Sequence, residues 1–298
     1  DVIRFTDTGI FDAEATNELM QRELAKHEYA VIPGFYGARP DGTIKTFSRG
    51  GSDITGSIVA RAVGAELYEN WTDVSGFLVV DPRIVENPRT IHTITYRELR
   101  ELSYMGATVL HEDAIFPVSA CGIPINIRNT NKPEAEGTMI VASVEGESRD
   151  GVVTGIAGKR NFSVITLEKD MMNVERGFGR RVLSVLEEEG ISFEHLPTGI
   201  DTMSIVVADK ELDGKLEHVL EGIRSQAHPD SIEVQRDMAL IAVVGRSMVR
   251  SFGTAGRVFG ALGRAKVNVR MIDQGSSELN IIVGVANDCF HTAIRAIY

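Results

Sequence analysis

Lys45-Thr46-Phe47-Ser48-Arg49-Gly50-Gly51-Ser52-Asp53-Ile54-Thr55-Gly56 is the stretch that decides the fold. Ile54, Ile58, Val59, Ala62 and Val63 recur at helical spacing, so a helix is predicted from Ile54 to Val63. Ser52 or Asp53 is suited to the N-cap, which leaves first-turn N–H groups pointing out of the helix start. Gly50 and Gly51 allow close backbone approach to a bound group. Arg49 adds a planar cation matched to a carboxylate or phosphate. The combination reads as an anion site with a carboxylate, Asp53, beside it. It also suits an ordinary strand–turn–helix with a good cap, because a short glycine pattern does not separate the two.

Working outward, Asp1–Phe5 alternates like a strand, and Asp12–His27 reads as an amphipathic helix with Leu19, Met20 and Leu24 on one side. Tyr29–Ile32 reads as a short apolar strand ended by Pro33-Gly34. Phe35–Asp41 is then a loop at a strand mouth. Ala65–Trp71 is predicted as the strand after the central helix. A strand–helix–strand unit of this length implies parallel strands and a right-handed crossover. Such sheets bind ligands at the carboxyl ends of their strands, where Thr72 and Asp73 fall. Asp81-Pro82-Arg83 reads, on its own, as a turn with a surface ion pair. Thr95-Tyr96-Arg97-Glu98 is a capping box opening a helix. His111-Glu112-Asp113 has no second histidine at ligand spacing, so no metal site is predicted. Ile123–Asn129 is read as the last strand of this region, and Asn131–Gly137 as linker.

From Gly151 the character changes. Two segments repeat at an offset of about 76 residues, counted on the sequence. Ser163–Leu167 corresponds to Ala239–Val243, and Gly177-Phe178-Gly179 to Ser251-Phe252-Gly253. Ile191–Leu196 corresponds to Val267–Ile272, and Met203–Val207 to Leu279–Val283. Each unit reads strand, helix, strand, strand, helix, the ferredoxin-like split unit. The helix start in Met171–Gly179 would offer backbone N–H groups to a carboxylate. Glu175 or Glu194 could meet an amine.

The 298 residues allow two or three domains, and the mix of 43% hydrophobic and 24% charged residues is that of a globular protein. A net charge of -11 argues against sequence-independent nucleic-acid binding, which needs clustered Lys and Arg. Cys121 and Cys289 are the 2 cysteines, too few and too far apart for a disulfide framework, which fits a cytoplasmic protein. No apolar run approaches the roughly 20 residues of a membrane span, and no signal peptide is visible.

Arg49-Gly50-Gly51-Ser52-Asp53 resembles the signature of aspartate kinases, in the amino-acid-kinase superfamily. Three further stretches resemble the same family: Trp71-Thr72-Asp73-Val74 with Asp81–Val85, Tyr104–Ala107 with Val109-Leu110-His111, and the repeats, which resemble paired ACT domains. The resemblance spans essentially the whole chain. It implies an α/β fold, the C-terminal part of an amino-acid-kinase-type parallel-sheet sandwich followed by two ferredoxin-like ACT domains. The expected divisions are 1–136 for the kinase portion, 137–150 for a linker, 151–228 for the first ACT domain and 229–298 for the second.

The implied activity is ATP-dependent phosphorylation of the β-carboxylate of L-aspartate, with Mg²⁺ bridging the phosphates. Arg49 would hold the substrate α-carboxylate, with Gly50 and Gly51 lining the pocket. Ser52 would hydrogen-bond the substrate, and Asp53 would orient its amino group. Thr72, Asp73, Leu78 and Arg83 would hold the nucleotide. Phe35 and Tyr36 either line this site or pack beneath the loop. Family members commonly have a lysine at Thr108, a departure that removes one nucleotide contact. They also open with a Lys-Phe-Gly-Gly segment that is not in these residues, so this stretch alone is expected to have little or no kinase activity.

Feedback by an amino acid is implied at Met172, Glu175, Gly177, Phe178, Gly179, Glu194 and Thr198, with lysine favoured over threonine; a dimer-forming loop without ligand is the plain alternative. A homodimer through the ACT domains is implied, with a tetramer left open. Another class of function, a non-catalytic ACT-type sensing subunit, would not need the 49–53 and 72–83 patterns. A kinase acting on glutamate is a third reading, disfavoured by the repeats.

Overall fold

The computed structural model of the protein describes residues 2–47, 50–107, 114–144 and 151–298. Helix α1 (Ala13–Leu24) starts at Asp12, whose carboxylate accepts the Ala15 N–H at 3.1 Å. An antiparallel hairpin follows, β1 (Tyr36–Ala38) with β2 (Ile44–Thr46). Helix α2 (Gly51–Val63) buries Ile54, Ile58 and Ala62 of the apolar face read from its spacing, while Val59 is half-buried and Val63 is 47% exposed.

After α2 come β3 (Tyr68–Thr72), β4 (Thr93–Thr95), α3 (Tyr96–Tyr104), α4 (Phe116–Ser119), β5 (Ile125–Asn129) and β6 (Thr138–Val141). The strands form a sheet in the order β3-β5-β6-β4. β3 runs parallel to β5 and β4 parallel to β6, while β5 and β6 are antiparallel. Ile94, Ile125, Ile127 and Ile140 form its dry interior. The Thr138 hydroxyl donates to the Ile91 carbonyl at 2.5 Å and accepts from Phe77 N–H at 2.8 Å, tying the 77–91 loop to the sheet. The capping box forms with both of its bonds: Thr95 Oγ1 accepts the Glu98 N–H, and a Glu98 oxygen accepts the Thr95 N–H.

Several sequence readings are corrected here. Tyr29–Ile32 is not a strand: Tyr29 is 86% and Val31 100% exposed. Apolar alternation makes a strand only where a neighbouring strand is available to pair with it. Where Asp1–Phe5 reads as a strand, the described residues show two isolated bridges, Arg4 with Ala38 and Phe5 with Phe11. The parallel partner of β3 is β5, not a strand before α2. Nor is β5 the last strand. Thr138–Val141, inside the stretch expected to be linker, is β6, with Thr138 and Ile140 fully buried.

Contacts divide the chain into two units, residues 1–155 with 244–251, and residues 156–243 with 252–298. The second unit is built on a sheet in the order β10-β11-β9-β7-β8. Its elements are β7 (Gly155–Glu168), α5 (Phe178–Glu188), β8 (Thr202–Ala208), α6 (Asp209–Leu212), α7 (Leu216–Ala227), β9 (Ser231–Val244), α8 (Thr254–Arg264), β10 (Met271–Asp273), β11 (Asn280–Ala286) and α9 (Phe290–Ile297). The two long strands, β7 and β9, each contain a residue of positive φ, Asn161 at 68° and Asp237 at 61°. Both are types that tolerate the left-handed region. Ile165, Leu167, Val182, Val185, Ile205, Val219 and Ile223 make one core between the strands and helices α5 and α7.

The internal repeat is visible in local structure, except that Ile191–Leu196, read as a strand of the first unit, shows only an isolated bridge, His195 with Val206, among the described residues. In the first copy a 3₁₀ turn (Met172–Val174) leads to Gly177, φ 82°, and then α5. In the second a 3₁₀ turn (Arg246–Arg250) leads to Gly253, φ 76°, and then α8. Left-handed φ is cheap for glycine, so each helix starts abruptly.

Candidate active site

Helix α2 begins two to three residues earlier than the caps suggested. Gly50, φ 63°, is the N-cap residue, and among the described residues no side chain caps the helix. Ser52 and Asp53 therefore lie inside the first turn rather than at the cap. A left-handed glycine starts the helix without a side-chain acceptor, and the first-turn N–H groups stay available for a ligand. Gly51 is buried, and a Cβ on it would come within 2.7 Å of the Phe35 ring. Phe35 itself has φ 84°. Its N–H donates to Thr55 Oγ1 at 3.1 Å, and that hydroxyl donates to the Gly51 carbonyl at 2.8 Å. Phe35 is thus pinned at the helix start with its ring half exposed.

Strand β3 presents Tyr68, Asn70 and Thr72 on one face, because side chains alternate along a strand. Asn70 Nδ2 donates to Asp53 Oδ1 at 3.0 Å and to Tyr68 Oη at 3.0 Å. Tyr68 in turn donates to the Asp53 main-chain oxygen at 3.2 Å. Its ring lies against Gly56, where a Cβ would fall 2.5 Å from the phenol oxygen. Burial pushes the Tyr68 hydroxyl above its usual range; the Asn70 bond opposes this and the nearby Asp53 charge adds to it. The Asp53 carboxylate is fixed from β3, and Thr72 lies one step further along the same strand face. Neither Tyr68 nor Asn70 was read from sequence as functional. The available signal was three polar-tipped residues alternating on a strand face next to a helix start.

Thr72 and Asp73 lie at the carboxyl end of β3, Thr72 Oγ1 donating to Asp73 Oδ1 at 3.3 Å. The Thr72 carbonyl accepts from Thr130 N–H at 2.8 Å, which fixes that strand end. Leu78 is half-buried and bridges to Thr90. Arg83 is held in a two-toothed pair by Asp81, Nη2 to Oδ2 at 2.7 Å and Nε to Oδ1 at 3.0 Å. The Asp81 hydrogen bond and charge raise the Arg83 pKa further. The guanidinium is exposed, so the surface ion pair read from Asp81-Pro82-Arg83 is present. Arg49, the Thr108 departure and His111-Glu112-Asp113 lie outside the described residues. Among the described residues no group of three His, Cys, Asp or Glu could hold a metal ion.

At the expected effector site, Met172 and Phe178 belong to the buried core of the second unit. They support the helix start from behind. Gly177 is the N-cap of α5 and again no side chain caps it. Glu175 is paired with Arg181, one turn into the helix. Glu194 donates its N–H to Val206 at 2.7 Å, and Thr198 bridges to Met203, so both flank β8. Gly179 packs near the Met203 methyl, 3.9 Å from where a Cβ would lie.

No helix among the described residues is long and apolar enough to cross a membrane.

Residues 5–129 match the amino acid kinase family, and residues 241–298 match the ACT domain. Aspartokinase 3 of Bacillus subtilis is 46% identical over 98% of this chain, which spans 66% of that protein. The crystal structure of Clostridium acetobutylicum aspartate kinase superposes with a TM-score of 0.93 at 56% identity, covering 100% of this chain and 68% of that one. E. coli aspartokinase III in complex with aspartate and ADP, at 28% identity, gives a TM-score of 0.76 over 99% of this chain and 67% of that one. The same enzyme has been solved with lysine and aspartate, also at a TM-score of 0.76. The chain thus spans about two thirds of these relatives, and with that overlap in sequence and fold it belongs to the aspartokinase family.

Proposed function

We propose that the complete protein carrying this chain transfers the γ-phosphoryl group of ATP to the β-carboxylate of L-aspartate and is feedback-regulated by an amino acid. The observation that carries this reading is the hydrogen bond from Asn70 to Asp53. It joins the uncapped start of α2 to the strand that ends at Thr72 and Asp73. A carboxylate substrate at the helix start and a nucleotide at the strand end would then share one site. The E. coli relative bound to aspartate and ADP supports the same pair of ligands.

In this reading Arg49 and the α2 N–H groups hold the substrate carboxylate, Gly50 and Gly51 give it room, and Ser52 hydrogen-bonds it. Asp53 meets its ammonium group. Thr72, Asp73 and Leu78 hold the nucleoside, and Arg83 exchanges Asp81 for a phosphate. Phosphoryl transfer asks mainly for positioning and charge neutralisation, which these groups supply. Mg²⁺ fits as an ion carried in on the phosphates, since small hard cations keep water and need few protein ligands.

The second unit would sense the effector at the start of α5, with Gly177 and Gly179 giving access to N–H groups and Glu194 and Glu175 facing an ammonium. Lysine is the preferred effector, supported by the lysine-bound E. coli relative. ACT domains at 151–228 and 229–298 remain the proposed division, after a kinase portion that β6 carries past residue 136, with a homodimer formed through the ACT domains in the cytoplasm. Replacing Arg49 with Ala in the complete protein tests the substrate assignment. A KM for L-aspartate raised about a hundredfold is expected from loss of a bidentate carboxylate contact, and an unchanged KM rejects it.

A further inference from the structure

We infer that Asn70 is a positioning residue for Asp53, setting which carboxylate oxygen faces the substrate; this rests on the reading of the α2 start as the aspartate site. The direction of every proton in the cluster follows from chemistry. An ionised carboxylate only accepts, so the Asn70 amide must turn its NH₂ group toward Asp53 Oδ1. The Tyr68 hydroxyl donates to the Asp53 main-chain oxygen, so its own oxygen is free to accept the second Asn70 N–H. Both amide hydrogens are then used, and flipping the amide would set two acceptors against each other.

The consequence lies on Asp53. Oδ1 is occupied from the β3 side, and Oδ2 has no hydrogen bond among the described residues. Oδ2 is the oxygen left for an incoming ammonium group. Tyr68 anchors the main chain at the same residue, and Gly56 provides the space that its ring needs. Asn70 also stands between Tyr68 and Thr72 on one strand face, some 7 Å from each by the strand repeat. It therefore fixes the carboxylate relative to the strand end where the nucleotide is proposed. A side chain that holds the orientation of a reacting partner acts through geometry, and small displacements there cost rate.

The test uses the complete protein. Asn70→Leu keeps the volume and removes the donor, and Tyr68→Phe keeps the ring and removes the hydroxyl. For Asn70→Leu, kcat/KM for L-aspartate is expected to fall about tenfold while the KM for ATP stays within about twofold. Tyr68→Phe is expected to fall about threefold in the same parameter. The deciding comparison is made in the Asp53→Asn background, where L-aspartate affinity is read by calorimetry and does not depend on turnover. There Asn70→Leu should cost less than about twofold, because the amide oxygen can still accept from Asn70 but no charged oxygen is left for Asn70 to aim at the ammonium. An equal loss in both backgrounds assigns Asn70 a general structural role and overturns the proposal. So does full activity of Asn70→Leu beside an inactive Asp53→Asn. If Asp53→Asn itself keeps wild-type kcat/KM, the reading of the site fails first and takes the inference with it.

Discussion

The buried carboxylate of Glu98 holds Arg246, a residue 148 positions later in the chain, through Nη1 at 2.9 Å and through the backbone N–H at 2.9 Å. Glu98 is fully buried, and Arg246 keeps 16% of its side chain exposed. The same carboxylate accepts the Thr154 hydroxyl at 2.6 Å and the Thr95 hydroxyl at 2.7 Å. Thr154 immediately precedes β7, and Arg246 shortly follows β9. One carboxylate of the first unit thus fixes the chain at both ends of the excursion through the second.

Removing that carboxylate should be costly, since Arg246 would stay largely enclosed with its counter-charge gone. Glu98→Gln keeps the shape and loses the charge, and Glu98→Ala loses both. Glu98→Ala is expected to lower unfolding stability by about 3 kcal/mol, in the range for breaking a buried pair. Glu98→Gln should lose less, because it can still accept from Thr154. Urea unfolding of the three proteins, compared at equal m-values, measures the difference. A loss below about 0.5 kcal/mol for Glu98→Ala would place the network among solvent-screened surface pairs.

The same residue sets an acid limit. Burial pushes the Glu98 carboxyl up, but hydrogen bonds from Thr154, from the Arg246 N–H and from Thr95 outweigh it, and the group ends below its ordinary value of 4.5. A folded-state value below the unfolded one means that the unfolded chain binds the proton more readily. The contribution of Glu98 is therefore complete above the unfolded value and is lost as the pH falls through the lower folded one. Thermal melts of wild type and Glu98→Gln between neutral pH and about pH 3 should converge on acidification. Melting temperatures that stay parallel would exclude this carboxylate from the acid transition.

Gly56 carries a packing prediction. A methyl group there would meet the Tyr68 phenol at 2.5 Å, nearer than any tolerated carbon contact. Gly56→Ala gains helix propensity in α2 but must push the ring off the helix. The clash is expected to win, with a net loss of about 1–2 kcal/mol and a lower affinity for L-aspartate. Gly64→Ala is the control for a glycine with open space, where only the left-handed φ of 60° opposes the change. If calorimetry shows L-aspartate binding unaltered in Gly56→Ala, the Tyr68 contact does not bear on the site.

The two carboxylates proposed to meet an effector ammonium differ in their surroundings. Glu175 is already paired with Arg181, whereas among the described residues no ion pair is seen for Glu194, whose N–H donates to the Val206 carbonyl. Glu194→Gln should weaken lysine binding about tenfold, and Glu175→Gln by much less, since an engaged carboxylate offers less attraction to a second cation. Titration of each variant with L-lysine decides the order; the reverse order would set the effector ammonium against Glu175 in spite of its Arg181 partner.

Local features were legible in the sequence and distant ones were not. The Thr95–Glu98 capping box depends on residues three apart, and both bonds are present. The grip of Glu98 on Arg246 depends on the return of the chain much later, which no local pattern encodes. At α2 the apolar spacing placed the helix, but Ser52 and Asp53 lost the cap to a left-handed Gly50. Glycine can start a helix by backbone conformation alone, and composition does not reveal which route is taken. Tyr29–Ile32 had a strand's composition and stays exposed, because pairing is a property of neighbours. The repeat showed most clearly, since each copy builds the same turn and left-handed glycine before its helix. Asp53 and Thr72 were singled out separately, and only the fold shows that Asn70 ties their elements together.

The most direct measurement is trapping of the acyl phosphate product. The complete protein is incubated with ATP, Mg²⁺ and L-aspartate in the presence of hydroxylamine, which converts an acyl phosphate to a coloured hydroxamate. Hydroxamate that requires both ATP and L-aspartate, and that falls by at least about a hundredfold in Asp53→Ala, is the expected result. ATP-dependent hydroxamate formed from L-glutamate but not from L-aspartate, or equal yields from wild type and Asp53→Ala, would contradict it.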